Sequence, residues 1–274
     1  MTATDDGSWE LDVAFPDAGH MRVFDLAQLL YTGIPHHPVH PPYSFTLTKK
    51  HGDVQYPGGV TGSAEMITTG GHVGTHVDGF AHVAKLGKLY NGVDILENQS
   101  YGEGMAVHSV HEMAPIAAPG HVVDMPTLLG RDLTPQDGIT GDHLDEWFSQ
   151  HGSQPTQGSV VLVRTGWDDF WGDARKFLAL EDGAPGISLD GARWLSDRGV
   201  RASGCDTVAY EHMPNPALDV HVHLLVEHGI SIMEVMNLRP VVDAQAWSFF
   251  FMAAPLRIKG GTGSPIRPLA FVSA

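Results

Sequence analysis

The chain has one cysteine, Cys205, among its 274 residues. No intrachain disulfide can form, which excludes a disulfide-stapled scaffold and fits a reducing cytoplasm. Basic residues are also scarce. Sixteen Lys and Arg stand against 32 Asp and Glu, for a formal net charge of -16. That sign argues against nucleic acid and against an anionic membrane surface as partners. Long hydrophobic runs are missing too. The longest, Trp247 to Leu256, is interrupted by Ser248 and is too short to cross a bilayer, so it reads as a buried strand. The N-terminal MTATDDGSWELD is acidic and polar and lacks the apolar stretch of a secretory signal.

What the chain does have is histidine, 17 of them, and a core-forming 42% of hydrophobic residues. Residues 1–20 read as a loose arm, and residues 21–274 as a single domain. Gly58-Gly59 and Gly70-Gly71 mark turns around the segment 60–69. Val122 to Met125, Ser159 to Arg164, Val200 to Cys205 and Ile230 to Met233 read as strands, the last carrying Glu234 to its end. Between them, Leu144, Trp147 and Phe148 have helical spacing, with Thr140 or Asp142 as N-cap. Ser188 opens a second helix that stops at Gly199, and residues 221–228 suggest a third, closed by Gly229. Helices alternate with short strands in the second half, while the first half is richer in strands and turns. The expected fold is α/β with a mixed sheet. The stretch PHHPVHPPY, holding His36, His37 and His40, reads as a loop; the sharper alternative is a loop that lines a site.

The chemistry concentrates between His72 and His82, in H-V-G-T-H-V-D-G-F-A-H. Imidazoles and a carboxylate together suit a divalent transition metal. Regular structure cannot gather them. On a straight strand at ~3.3 Å per residue, the window stretches over roughly 33 Å. On a straight helix, two steps of ~100° turn Asp78 away from His76. The chain must bend, and Gly70, Gly71, Gly74 and Gly79 permit that. The expectation is a glycine-bent segment leading into a helix that carries His82. Two histidines and a carboxylate (His72, His76, Asp78) leave coordination positions open, the mark of a catalytic metal. His82 is then free for proton transfer, since a pKa near ~6.5 suits acid–base work. A second group, His221, His223, His228 and Glu234, lies within fourteen residues. His221 and His223 differ by two positions and face different ways on a helix, so at most one reaches a site with Glu234.

The pattern H-x-G-T-H-x-D-x-x-x-H resembles the metal-dependent cyclase/hydrolase family, which includes bacterial kynurenine formamidases and isatin hydrolases. Further blocks resemble it too: Asp25-Leu26, residues 160–167 (VVLVRTGW), Pro185 to Ser188, Gly204 to Thr207, His221 to Leu225 with Glu234, Pro255-Leu256 and residues 260–265. The resemblance implies a compact α/β fold around a β-barrel-like sheet, of the swivelling β/β/α type, assembled as a homodimer or homotetramer. It implies that His72, His76 and Asp78 hold Zn²⁺ or Mn²⁺, that His82 is the catalytic histidine, and that His221 and Glu234 form a second pair acting as metal ligands or on substrate. The H-x-x-L-L pattern selects His221 over His223. The implied activity is hydrolysis of a small amide, most of all a cyclic one such as an isatin or lactam, by metal-activated water. The alternatives are an arylformamidase, a lactone hydrolase, a polyketide-type cyclase and a non-catalytic metal-containing binding protein. Phe80, Tyr90 and Trp167 are aromatic candidates for the pocket wall. The family's D-A-P-x-H is here Asp78-Gly79-Phe80-Ala81-His82, and the His221 to Glu234 spacing of thirteen is one longer than in the formamidases.

Overall fold

The computed structural model describes residues 2–3, 9–15 and 19–273. Among these, a mixed sheet of eleven strands organises the molecule. Its centre is parallel: Ile116–Asp124, Val160–Arg164, Ala202–Cys205 and Ser231–Glu234 lie side by side, with Val122 opposite Leu162 and Leu162 opposite Gly204. On one side Ser248–Ala253, Leu269–Ser273 and Gly19–Asp25 continue it in antiparallel fashion. On the other, His76–Asp78 pairs with Ser231–Glu234, and Gly263–Pro265 closes the edge. Within the expected N-terminal arm, Trp9–Phe15 forms a strand paired with Gly19–Asp25, and Thr2–Ala3 pairs with it in turn. The rest of residues 1–18 lies outside the described residues.

Strand periodicity explains the two cores. Successive side chains point to opposite faces. Val161 and Val163 enter one hydrophobic cluster, with Leu144, Trp147 and Phe148 of helix Gly141–His151 and Ala192 and Leu195 of helix Leu189–Asp197. Val160 and Leu162 enter the other, with Phe24, Val77, Phe251 and Ala270. Phe24 and Val77 come from opposite wings of the sheet, so the sheet must curl until its wings share one core. The result is a half-barrel with helices on its convex side. All five residues of Val160–Arg164 are buried, as a strand covered on both faces requires.

The helices form where the caps stand. Thr140 accepts from the His143 backbone N–H, and the His143 side chain reaches back to the Thr140 backbone N–H. Ser188 accepts from Gly191 N–H at the start of the next helix. Three readings of the sequence need correction. No helix carries His82: the chain runs extended through His76–Asp78 and then turns, His82 N–H donating to the Gly79 carbonyl. Sheet pairing on both sides of His76–Asp78 overrides any helical tendency there. Residues 222–228 form a π-helix rather than an α-helix, closed by Gly229 at φ 63°. The apolar run near residue 250 is only half buried: Ser248–Ala253 alternates, leaving Phe250 and Met252 exposed.

No helix among the described residues is long and apolar enough to cross a membrane.

Candidate metal centre

The site sits where the half-barrel wing returns to the parallel strands. Register places His76 opposite Glu234 on one side and opposite Pro265 on the other. His76 and Asp78, two apart, share one face of the strand. His72 arrives from the preceding loop. Gly74 takes a left-handed φ of 69°, which an L side chain adopts only under strain. Gly263 supports the His72 ring so closely that a Cβ there would stand 2.3 Å from its Cε1. Glu234 ends its strand at Val235, a β-branched residue at φ 57°. Two bonds hold that strained turn: Val235 N–H donates to the Thr207 carbonyl at 3.0 Å, and Thr75 Oγ1 donates to the Val235 carbonyl at 2.5 Å.

Six of the expected residues meet here. His72 Nδ1 lies 2.6 Å from Asp78 Oδ1. His76 Nε2 lies 3.5 Å from Asp78 Oδ1 and 3.3 Å from Glu234 Oε2. His221 Nε2 lies 3.6 Å from Asp78 Oδ2 and 3.3 Å from Glu234 Oε1. The His82 ring stacks on His72 with centroids 3.8 Å apart. Two groups can each bring three ligand atoms together, His72–Asp78–His82 and His76–Asp78–Glu234, and both use Asp78.

Neighbouring acceptors set the tautomers. His76 Nδ1 donates to the Gly74 carbonyl at 2.8 Å, which leaves the Nε2 lone pair facing the carboxylates. His221 Nδ1 donates to Glu211 Oε2 at 2.8 Å, with the same effect. Buried carboxylate oxygens thus face imidazole nitrogens with no proton assigned between them. His76 Nε2 and Asp78 Oδ2 are buried without a hydrogen-bond partner. The 3.3 Å approach of Glu234 to His76 brings charge near that nitrogen without hydrogen-bond alignment. Buried polar atoms are nearly always satisfied, and a cation held here would satisfy this pair. The donor set of imidazole and carboxylate fits a divalent transition metal.

The buried carboxylates favour positive charge on the imidazoles beside them. Burial alone would lower the His76 and His221 imidazoles, but the surrounding carboxylates outweigh it and raise both, His221 strongly. Burial would raise Asp78, but His82, His72 and His221 hold it well below the usual range. Burial also opposes ionisation of Glu234, yet the close His221 and His76 imidazoles bring it down to about 2. His82 is different: burial dominates and pushes it down to about 4, despite Asp78.

The aromatic candidates do not join this group. Phe80 and Tyr90 pair with each other, centroids 5.3 Å apart, and both approach His108. Trp167 is buried beside Phe177, Ala184 and Val235, its indole N–H donating to the Phe177 carbonyl at 3.1 Å. His223 faces away toward Ser196 and Glu227, whereas His221 lies beside Asp78 and Glu234. Two neighbours were not singled out from sequence, and a third, His40, was named there only within a loop that reads either as plain or as lining a site. Glu211 orients His221, and Thr262 Oγ1 lies 2.9 Å from His72 Nε2. His40, from the proline-rich loop, stacks on His72 at 5.2 Å. Only for His40 was there a signal, its place among clustered histidines.

A curled mixed sheet here sets two carboxylates among imidazoles, a donor set that can hold a metal ion. The chain belongs to the cyclase family: the family model described as a putative cyclase matches residues 24–212. It is 29% identical over 214 residues to the isatin hydrolase of Roseibium aggregatum, covering 75% of this chain and 73% of that one. It is 26% identical over 245 residues to the kynurenine formamidase of Bacillus cereus, covering 89% and 94%. Among solved structures, a protein described as a novel cyclase superposes with a TM-score of 0.83 at 26% identity, covering 90% of this chain and 86% of that one.

Proposed function

We propose that this protein is a metal-dependent hydrolase that opens a small cyclic amide. The observation that carries this reading is the pair of partnerless buried atoms, His76 Nε2 and Asp78 Oδ2, among lone-pair-bearing imidazoles. The matched relatives support the substrate class, since one is named for hydrolysis of isatin, a cyclic amide, and the other for formamide cleavage. His72, His76 and Asp78 would hold the ion, zinc or manganese, with His221 as a further ligand. When bound, the ion supplies Lewis acidity, polarising a carbonyl and acidifying water. His82, pushed down to about 4, is neutral at neutral pH and so has a ring nitrogen ready to take a proton from the attacking water. The same nitrogen then returns that proton to the departing amide nitrogen. Glu234 holds the Tyr210 backbone N–H at 2.8 Å, which fixes the carboxylate beside His76 and His221.

The sharing of Asp78 by two ligand groups favours a second reading, in which His82 is itself a ligand of a second ion. One variant separates them. His82→Ala keeps full metal content and loses turnover if His82 moves protons; it loses metal if His82 is a ligand. The substrate is tested with metal-restored protein against isatin, lactams, N-formyl anilines and lactones. The expected product is the ring-opened acid, heavier than its substrate by one water. A condensed product with no added water would point instead to cyclase chemistry, and no turnover of any would refute the hydrolase reading.

The setting we propose is cytoplasmic, consistent with a lone buried thiol at Cys205. Self-association into a homodimer or homotetramer is supported by the hairpin Ser44–Lys49 and Ala64–Thr68, which exposes Phe45, Leu47, Met66 and Ile67.

A further inference from the structure

We infer that His223, Glu227 and His228 form a second divalent transition-metal site, separate from the centre around Asp78. One ligand atom from each residue lies within 4.8 Å of the others. The π-helix makes this possible. In an α-helix at ~100° per residue, positions five apart point about 140° away from each other. In π geometry the hydrogen bonds run between residues five apart, so the side chains of 223 and 228 come onto one face. Their rings stand 4.1 Å apart, with Glu227 beside them.

The neighbours prepare both rings for a cation. Ser196 Oγ donates to the Arg193 carbonyl at 2.9 Å, so it must accept from His223 Nε2, also 2.9 Å away. That places the proton on Nε2 and leaves the Nδ1 lone pair open. Nδ1 faces Glu227 Oε2 at 3.5 Å. A lone pair and a carboxylate oxygen face each other there with no proton to share. The gap is close to the ~3.3 Å between two tetrahedral ligands with bonds of about 2 Å. The His228 Nδ1–H donates to the His223 carbonyl at 2.8 Å, which leaves its Nε2 lone pair open as well. Lys85 Nζ occupies the other Glu227 oxygen at 2.8 Å and so turns Oε2 toward the histidines. Lys85 and Arg193 are the nearby cations that oppose a further positive charge. Two imidazoles and one carboxylate favour zinc, nickel or copper over magnesium or calcium. Glu227 and His228 are exposed, so the site opens to solvent.

The test uses tag-free, chelator-stripped full-length protein. Zinc is titrated calorimetrically, and copper binding is read by electron paramagnetic resonance. His228→Ala should bind one equivalent fewer than the wild type and lose the copper signal with two nitrogen ligands, while its turnover is unchanged. Glu227→Gln should behave likewise. Ser196→Ala, which removes the partner of His223, should weaken this equivalent by about 10- to 100-fold. Equal stoichiometry in wild type, His228→Ala and Glu227→Gln would overturn the site and leave His228 as a helix-terminal group alone. The readout is a count of bound metal, so it stands apart from success or failure of the proposed hydrolysis.

Discussion

At the scale of single residues, the centre depends on groups that never touch a substrate. Glu211 is fully buried and holds both the His221 backbone N–H and its Nδ1, at 2.9 and 2.8 Å. It fixes which nitrogen faces Asp78. Glu211→Gln should reduce metal affinity by about 10- to 100-fold, as loss of an outer-shell partner does; wild-type affinity by calorimetry would dismiss that role. Gly263→Ala should act sterically, because its Cβ would meet the His72 ring at 2.3 Å. The expected result is lost metal affinity with little change in the circular dichroism of the fold.

A second residue-scale effect concerns acid. Asp168 lies buried near Asp206 and Arg164, and burial with the Asp206 charge raises it to about 7. Its folded form therefore keeps a proton that the unfolded chain, near 3.8, has released. The stability from that proton is full below the unfolded value and is lost as pH rises through about 7. Asp168→Asn keeps the side chain neutral at every pH. It should flatten the fall in stability between about pH 4 and 7, read by urea denaturation at each pH; parallel profiles for variant and wild type would contradict the shift.

At the scale of elements, the helix Gly141–His151 shows how local and tertiary causes combine. The Thr140 cap starts it, and Leu144, Trp147 and Phe148 bury its inner face. Thr140→Ala should destabilise by about 0.5–2 kcal/mol, and Trp147→Ala by about 3–5 kcal/mol. The ordering is what chemical denaturation checks: a cap substitution more damaging than the tryptophan would reverse the account. This element was legible because its period and its cap agree. The segment around His82 was not. Its glycines announced a bend, but the extended run His76–Asp78 exists because strands more than 150 residues later pair on both sides of it. Nothing local to the motif records those partners.

At the scale of the whole molecule, exposed apolar surface gathers on the hairpin carrying Phe45, Leu47, Met66 and Ile67. Phe250 and Met252 add exposed apolar surface on strand Ser248–Ala253. The alternation in that strand was hidden, since the apolar run from Phe249 to Ala253 has no period to read. Replacing both Leu47 and Ile67 with lysine should lower the sedimentation mass at neutral pH. A monomeric wild type would remove the reason for expecting a homo-oligomer.

The sequence by itself determined the ligand chemistry. Imidazoles and a carboxylate at close spacing, with glycines between them, demanded a bent chain and suited a transition metal. It also determined the central strands and the capped helices, because side-chain period and caps are local properties. Only the tertiary structure decided the rest. It brought Glu211, Thr262 and His40 to the centre, turned His221 inward and His223 outward, and made Asp78 common to two ligand groups. The reason is physical: a ligand's type is carried by its own side chain, whereas its partner is chosen by sheet register and by the curl that lets distant wings share one core.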